Sequence, residues 1–303
     1  MREKRPIIID TDPGIDDAVA LAFALFSEEL EVKLITTVAG NVSCPQVTEN
    51  TLKLLTFFDK EVLVAKGANQ PLVQPQIDAS EIHGDSGLAG FEWKEYNRQL
   101  LTEVPAAIAI HQAIQQSSEP VTLLALAPLT NIALWLRLFE EDKEKIAELV
   151  IMGGATGRGN SGNFSEFNFH ADPEAAEIVL NSQLPITLLP LEIGNKARLT
   201  SETIKQVKKA GKTGKMLSQL FEHYRGGDIV TGLSMYDSTT LVYLLAPHLV
   251  ETTPCQMAIE LAGQVTRGAS SVTFIEESSC QLVTDIQVEE FQQWFLQQVS
   301  QCG

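Results

Sequence analysis

Short apolar runs that are typical of buried strands alternate with helical patterns through most of this chain. A first run at residues 7–9 precedes a helical pattern at 18–25, and a second strand at 32–38 precedes a helix at 45–58. Parallel strands need long crossover connections, which helices usually supply. The alternation therefore predicts an α/β fold with a doubly wound, mostly parallel sheet.

The same pattern continues to the end of the chain. Further strands are predicted at 62–65, 121–126, 149–152, 186–189, 256–261 and 271–275. Further helices are predicted at 106–116, 129–138, 201–224, 238–245 and 288–299, and one more begins with Pro173 after a capping Asp172. Two long segments, 66–101 and 153–171, break the rhythm and are expected to be functional loops. No repeat or low-complexity linker divides the sequence, so we expect a single domain over residues 1–303.

The charge balance limits the classes of partner. The chain has 303 residues, with 39 acidic and 22 basic side chains and a formal net charge of -17. Nucleic acids and anionic membranes attract positive surfaces, so neither is an expected partner. The four cysteines form no CxxC pair, which favours reduced thiols in a cytoplasmic protein. We also expect no signal peptide and no membrane span.

Four aspartates follow the first predicted strand within eight residues: Asp10, Asp12, Asp16 and Asp17. No lysine or arginine lies between them. Carboxylates this close together repel one another unless a cation lies among them. The cluster therefore predicts a site for a hard divalent metal such as calcium or magnesium. Helix capping would explain Asp16 or Asp17 alone but not all four.

A second group of polar residues lies in the loop at 158–168. Asn160, Glu166 and Asn168 offer amides and one acid, which suit the recognition of several sugar hydroxyls. The alternative is that Asn and Gly only form turns here.

Other candidate site residues each have a simpler structural reading. Asp237 begins a predicted helix and is read as a helix cap, Asn41 lies in a turn after a strand, and Leu126 enters a strand-to-helix turn with a carbonyl that can bind metal. His83 is read either as part of a lid hinge or as an inert surface histidine.

Taken together, these segments resemble the inosine–uridine nucleoside hydrolase family, and specifically its non-specific ribonucleoside hydrolase branch. The matching segments are DTDPGIDDA (10–18), TVAGNV (37–42), IHGDSGL (82–88), PLTN (128–131), MGG (152–154), GN (159–160), EFN (166–168) and DPEAA (172–176). They occur in the family's order, and the match covers nearly the whole chain. The resemblance implies the nucleoside hydrolase fold with a Rossmann-like core, and a homo-oligomer such as a dimer or tetramer.

The resemblance also implies the reaction and its metal. A nucleoside would be cleaved to ribose and free base by a calcium-bound water. The implied metal ligands are Asp12, Asp17, Asp237 and the backbone carbonyl of Leu126, and Asp12 would deprotonate the water. An oxocarbenium-like transition state gains positive charge, which a ring of carboxylates stabilises more than it stabilises the neutral substrate.

The resemblance further implies how the substrate is held. Asp16 would bind the ribose 2′-hydroxyl, Asn168 and Asp237 the 3′-hydroxyl, and Asn160 and Glu166 the 5′-hydroxyl. Asn41 and Met152 would line the ribose pocket, and His83 would lie on a loop that closes over the base.

One position departs from the pattern of the family. Many members have His directly before the aspartate that corresponds to Asp237, and that His is thought to protonate a purine leaving group. This chain has Tyr236 there, a phenol with an ordinary pKa of about 10. Either Tyr236 donates the proton, or His83, Tyr224 or Arg225 does, or the base leaves with less help.

Two rival functions follow from the same residues. Because of Tyr236, the chain could bind nucleosides or ribose with impaired turnover. Alternatively, Asp-x-Asp after an apolar strand is typical of magnesium phosphatases of the haloacid dehalogenase type. Those enzymes also need a later acidic pair at a strand end, which we do not find in this sequence.

Overall fold

Strands and helices alternate along the part of the chain that the computed structural model describes, residues 4–224 and 231–303. The strands are β1 (Arg5–Thr11), β2 (Leu30–Thr37), β3 (Val64–Lys66), β4 (Leu101–Thr102), β5 (Val121–Ala125), β6 (Ile146–Met152), β7 (Ile186–Leu189), β8 (Arg198–Leu199), β9 (Leu233–Ser234), β10 (Val250–Ile259), β11 (Ser270–Phe274) and β12 (Cys280–Ile286). The helices are α1 (Ile15–Phe26), α2 (Cys44–Phe58), α3 (Ser80–His83), α4 (Ala106–Gln116), α5 (Thr130–Leu138), α6 (Phe167–Ala171), α7 (Pro173–Leu180), α8 (Leu191–Lys196), α9 (Ser201–Val207), α10 (Gly211–Phe221), α11 (Ser238–Leu245) and α12 (Val288–Gln301).

The central sheet has ten strands in the order β11-β10-β12-β7-β6-β5-β1-β2-β3-β4. Neighbouring strands are parallel from β12 to β4, and β10 is antiparallel to both β12 and β11. Strands β8 and β9 form a separate antiparallel pair. The predicted α/β fold with a mostly parallel, mixed sheet is confirmed.

The order of the strands reverses at β1. The chain adds β2, β3 and β4 on one side of β1 and then crosses to add β5, β6 and β7 on the other side. In open α/β sheets, ligands bind in the crevice at the carboxyl ends of the strands where the order reverses. Residues that directly follow β1 and β5 therefore lie at the expected position of a site.

Each face of the sheet carries its own apolar core. Ile7 and Ile9 of β1 belong to one cluster of buried side chains, and Ile8 belongs to the other. Helices α1, α10, α11 and α12 contribute to the first cluster, and α4, α5 and α7 contribute to the second. A strand buried on both faces is continuously apolar, which explains the uninterrupted isoleucine run.

Two sequence predictions of local structure are wrong. The single helix predicted at 201–224 is two helices, α9 and α10, with a break before Gly211, whose φ is +69°. The loop at 153–171 contains the short helix α6. The sequence also failed to indicate α8, which is short, and β12, whose apolar residues are interrupted by polar ones. Within residues 4–224 and 231–303, none of the helices combines the length and hydropathy that a membrane crossing requires.

Candidate active site

Three buried carboxylates converge at the carboxyl end of β1. Asp16 and Asp17 lie in the first turn of α1, and Asp237 directly precedes α11. The three side chains offer oxygen atoms that all lie within 4.8 Å of one another. Asp237 makes no capping hydrogen bond with its side chain, so its reading as a plain helix cap is wrong.

Asp17 is held by the turn that connects β1 to α1. Its two carboxylate oxygens accept hydrogen bonds from the Thr11 hydroxyl (2.6 Å) and the Gly14 amide (2.9 Å). The Asn41 side-chain amide donates to the same carboxylate at 3.2 Å. Pro13 and Gly14 thus form a tight turn that directs Asp17 back toward the strand end.

Asp12 lies beside the three-acid group, against the loop that follows β2. Its Oδ2 accepts a hydrogen bond from the Asn41 backbone amide at 2.6 Å, and the Asn41 side chain donates to the Asp12 carbonyl at 3.1 Å. A Cβ on Gly40 would lie 1.9 Å from Asp12 Oδ2. Only glycine therefore lets the carboxylate pack this closely against the loop.

The acids of the site repel one another. Burial, and then the charge of Asp17, raises the pKa of Asp12 well above its ordinary value. Burial, and then the charge of Asp16, likewise raises the pKa of both Asp17 and Asp237. A bound divalent cation would remove this cost, because an opposite charge favours the ionised carboxylates. Buried carboxylate oxygens at this spacing suit calcium or magnesium, so the residues fit such an ion.

Asp10 has a different environment from the other aspartates of the sequence cluster. Its Oδ1 accepts hydrogen bonds from the Thr36 hydroxyl (2.5 Å) and the Asn131 amide (2.7 Å). Its Oδ2 is buried without a hydrogen-bond partner among the described residues. Burial raises its pKa to about 7. Asp10 therefore links β1 to β2 and α5, and it lies outside the three-acid group, contrary to a metal site made of all four aspartates.

A cavity of about 160 Å³ opens beside these acids. The residues that line it are Asp16, Asn41, Ala79, Ile82, His83, Leu126, Met152, Asn160, Glu166, Phe167, Asn168, Tyr224, Tyr236 and Asp237. The structure thus brings ten predicted site residues together around one cavity, namely Asp16, Asn41, His83, Leu126, Met152, Asn160, Glu166, Asn168, Tyr236 and Asp237. Asp12 and Asp17 do not line it, but both accept hydrogen bonds from Asn41, which does. Ala79, Ile82 and Phe167 are lining residues that the sequence did not indicate.

Glu166 and Asn168 are positioned by the start of α6. The Glu166 carboxylate accepts hydrogen bonds from the backbone amides of Asn168, Phe169 and Gly154. Burial raises its pKa to about 7 in spite of these bonds. The Asn168 amide donates to the carbonyls of Leu126 (3.0 Å) and Met152 (3.1 Å). Asn168 therefore connects the carboxyl ends of β5 and β6.

The hydroxyls of Tyr236 and Tyr224 both form hydrogen bonds with neighbouring side chains. The Tyr236 hydroxyl donates to Asn195 Oδ1 at 2.9 Å, and a Cβ on Gly194 would lie 2.0 Å from the Tyr236 ring. The Tyr224 hydroxyl donates to Asp16 Oδ2 at 3.1 Å. Asn195 was not found from the sequence, because it lies on the unpredicted helix α8.

His83 is buried, with 5% of its surface exposed, so its reading as a surface histidine is wrong. Its Nδ1 accepts a hydrogen bond from the Ile15 amide at 3.0 Å and lies 4.0 Å from Asp16 Oδ1. A Cβ on Gly14 would lie 2.5 Å from this same nitrogen, so glycine permits the approach. Arg225, the remaining candidate for the proton donor, lies outside the described residues.

Sequence similarity to known proteins extends over nearly the whole chain. The model of the inosine-uridine preferring nucleoside hydrolase family matches residues 7–293. The non-specific ribonucleoside hydrolases RihC of Escherichia coli strains CFT073 and K12 are each 46% identical over 293 residues, which cover 95% of this chain and 96% of theirs.

Solved structures of nucleoside hydrolases are also similar. A purine-preferring ribonucleoside hydrolase from Gardnerella vaginalis has a TM-score of 0.89 at 28% identity, and an inosine-guanosine nucleoside hydrolase has 0.89 at 29%. A plant nucleoside hydrolase has 0.89 at 25%. Each match covers 98% of this chain and 99% of the other. The chain therefore belongs to the inosine-uridine preferring nucleoside hydrolase family.

Proposed function

We propose that this protein hydrolyses the N-glycosidic bond of purine and pyrimidine ribonucleosides with the help of a bound calcium ion. Membership in the family makes the chain a glycosidase that releases ribose and a free base. The breadth of substrates rests on the 46% identity with hydrolases named non-specific. The observation that carries the calcium is the buried group of Asp16, Asp17 and Asp237, with oxygens within 4.8 Å of one another.

The proposed metal ligands are Asp12, Asp17, Asp237 and the Leu126 carbonyl. When bound, calcium supplies a positive charge that lets the acids ionise together, orients the ribose diol and makes water more acidic. The raised pKa values of Asp12, Asp17 and Asp237 support this set, since the acids are destabilised in their charged form without a cation.

Asp12 is the proposed general base. Its carboxylate is oriented by the backbone amide of Asn41, a residue that lines the cavity, at 2.6 Å. A carboxylate in this position accepts a proton from the water that attacks the anomeric carbon. The other acids stabilise the positive charge that develops on the sugar, and burial away from bulk water strengthens that interaction.

We propose that the ribose binds in the same cavity. Asp16 would accept the 2′-hydroxyl, Asn168 and Asp237 the 3′-hydroxyl, and Asn160 and Glu166 the 5′-hydroxyl, while Asn41 and Met152 line the ribose pocket. All of these residues line one cavity, which supports the assignment.

For departure of the base, the hydrogen bonds favour His83 over Tyr236. The Tyr236 hydroxyl proton is directed at Asn195. The bond from the Ile15 amide requires His83 Nδ1 to be an acceptor, so neutral His83 carries its proton on Nε2. Neutral His83 thus carries an N–H at a residue that lines the cavity, which supports it as the proposed donor.

The test is ribose release from inosine, adenosine, uridine and cytidine in the presence of calcium. Wild type is expected to hydrolyse members of both base classes. Asp12→Asn keeps the shape of the side chain but removes the base, so we expect kcat to fall by about 10²–10⁴-fold. The matched control is Glu28→Gln, an exposed acid near the end of α1, which should leave kcat unchanged. Equal rates for wild type and Asp12→Asn would contradict the proposed role.

Three further expectations belong with this function. We propose that the protein acts in the cytoplasm in nucleoside catabolism or salvage, and that it forms a homo-oligomer, as the family resemblance implies. Light scattering of the purified protein tests the last point, since a mass of one chain at micromolar concentration would contradict it.

A further inference from the structure

Two cysteines that are distant in sequence meet at the end of the pairing between β10 and β12. The register of β10 with β12 pairs Pro254 with Gln281. The next opposite pair along these antiparallel strands is Cys255 and Cys280. Their Sγ atoms lie 3.8 Å apart, and both thiols are free.

The backbone geometry at this pair suits a disulfide. Directly opposite residues of antiparallel strands have Cα atoms about 4.5–5.5 Å apart. Disulfides join cysteines whose Cα atoms are about 4.4–6.8 Å apart. A bond between Cys255 and Cys280 therefore needs mainly rotation of the two side chains, and no separation of the strands.

The pair can be reached from solvent. Cys255 is buried and Cys280 is half-buried. Both line a surface cavity of about 530 Å³, together with polar residues that include Asn181, Thr273 and Ser278. Neither cysteine lines the cavity beside the acidic cluster. A small oxidant can thus approach the two sulfurs from this cavity without entering the proposed nucleoside site.

The chemistry of the pair differs from that of the other two cysteines. The thiol hydrogen bond from Cys280 lowers the pKa of Cys255 and raises the pKa of Cys280, so Cys255 is the sulfur that ionises first. Burial raises the pKa of Cys44, and it raises the pKa of Cys302 to about 12. Thiolates are the reactive form, so oxidation is favoured at the pair over the two buried single thiols.

We propose that Cys255 and Cys280 form a redox site at which a hydroperoxide converts the two thiols into a reversible disulfide. The Cys255 sulfur attacks a peroxide oxygen, the O–O bond breaks, and an alcohol (or water, from hydrogen peroxide) leaves. The resulting sulfenic acid on Cys255 is attacked by the Cys280 sulfur, and the hydroxyl leaves as water. The two thiols lose two electrons and two protons, which reduce one hydroperoxide to one alcohol and one water.

The bond would fix the base of the hairpin formed by β10 and β11. The other end of this hairpin contacts the loop that carries Asn160 and Glu166. There the Ser270 hydroxyl bonds the backbone of Ala155, and the Ser165 hydroxyl donates to the carbonyl of Arg267. The disulfide would therefore link the β10–β11 hairpin, which contacts this loop, to β12 by a covalent bond.

The experiment uses the reduced full-length protein and hydrogen peroxide. Thiols are counted in denaturant before and after treatment, and the disulfide is located by mass spectrometry of a non-reduced digest. We expect the count to fall from four to two, one cross-linked peptide that joins Cys255 to Cys280, and full recovery of four thiols with dithiothreitol.

Single variants make the result specific. In Cys280→Ser, peroxide should leave a sulfenic acid on Cys255 that dimedone traps, without a cross-link. Cys302→Ser, the matched control, should still lose two thiols. Because neither cysteine lines the cavity beside the acidic cluster, reduced Cys280→Ser should release ribose at the wild-type rate, which also reports correct folding. Four remaining thiols, a bond to Cys44 or Cys302, a bond between chains, or sulfinic acid without a cross-link would overturn the proposal.

Discussion

At the scale of single residues, the close approach of side chains to the backbone explains why position 14, shortly after β1, is glycine. Gly14 has an extended backbone, with φ -97° and ψ -162°, that other residues also adopt. The constraint there is space alone, since an added Cβ would lie 2.5 Å from His83 Nδ1 and 2.9 Å from the Asn41 side chain. His83 and Asn41 both line the cavity beside Asp16 and Asp237, where we propose that the nucleoside binds.

The first prediction concerns this contact. Gly14→Ala should displace His83 and Asn41, and kcat/KM for inosine should fall at least about tenfold, as expected when catalytic groups are misplaced by about 1 Å. Gly157→Ala is the control, because its Cβ would lie 3.4 Å from a Glu192 carboxylate oxygen, an ordinary distance. Steady-state kinetics measure kcat/KM for inosine in both variants. Equal kcat/KM values would show that the close approach of His83 to Gly14 is not needed for catalysis.

Tyr236 gives a second prediction at this scale. Its hydroxyl donates to Asn195, so Tyr236→Phe should change the kcat for inosine by less than about threefold, whereas loss of a general acid costs about 10²-fold or more. Tyr236→His, measured beside it, tests whether an imidazole at this position speeds purine release. A fall of 10²-fold in Tyr236→Phe, with normal uridine hydrolysis, would identify Tyr236 as the purine proton donor.

The third prediction concerns the pH dependence of stability. Burial raises the pKa of Glu166 from 4.5 to about 7, so the folded protein binds more protons than the unfolded chain between these values. Stability without calcium should then fall as pH rises through this window, by about 3 kcal/mol from Glu166 alone. Urea unfolding from pH 4.5 to 8 in chelator measures this slope. Glu166→Gln should show a shallower slope, and an unchanged one would contradict the assignment.

At the scale of elements, the start of one helix ties together parts of the chain that are distant in sequence. Asp172 caps α7 through the Ala175 amide, and its other oxygen accepts bonds from the Thr130 hydroxyl and the Leu72 amide. One carboxylate thus ties α7 to α5 and to the loop after β3. The sequence predicted the capping role of Asp172, but the two other bonds span 42 and 100 residues and had no local signal.

The fourth prediction compares two caps. Thr200 caps α9 by accepting one hydrogen bond from the Thr203 amide, and its hydroxyl also bonds the Thr203 hydroxyl next to it. Thr200→Ala should lower the free energy of unfolding by about 1 kcal/mol. Asp172→Ala removes three buried bonds and should lower it by about 3 kcal/mol or more. Chemical denaturation measures both, and equal losses would show that the long-range bonds of Asp172 contribute nothing.

The strands also show which elements a sequence pattern can identify and which it misses. Strands buried on both faces, such as β1, β5 and β7, were predicted because most of their residues are apolar. Strand β12 was missed because Gln281, Thr284 and Asp285 interrupt its apolar residues, and its identity as a strand depends on pairing with β7 and β10. The same limit applies to the site: local motifs indicated the acids and amides, but not Asn195, which reaches Tyr236 across 41 residues.

At the scale of the whole molecule, the sheet brings distant residues to one crevice. Asp16, Leu126, Asn168 and Asp237 come from the turns after β1 and β5 and from the starts of α6 and α11. The core clusters on the two faces of the sheet draw residues from almost the whole described chain. This distribution supports our expectation that residues 1–303 form one domain.

A fifth prediction follows for unfolding. One domain should unfold in a single cooperative transition, so tryptophan fluorescence and circular dichroism should give the same midpoint in urea. Trp135 lies in the core on one face and Trp294 in the core on the other. Two separated transitions would show that the two faces unfold independently.

The central claim is that the buried acids require a divalent cation in order to act on a nucleoside. It is tested by the rate of ribose release from inosine, measured on chelator-treated protein while calcium is added back. The rate should be below detection without calcium and should rise to a plateau as calcium saturates the site. Full activity in the chelator, with no response to calcium, would contradict the account.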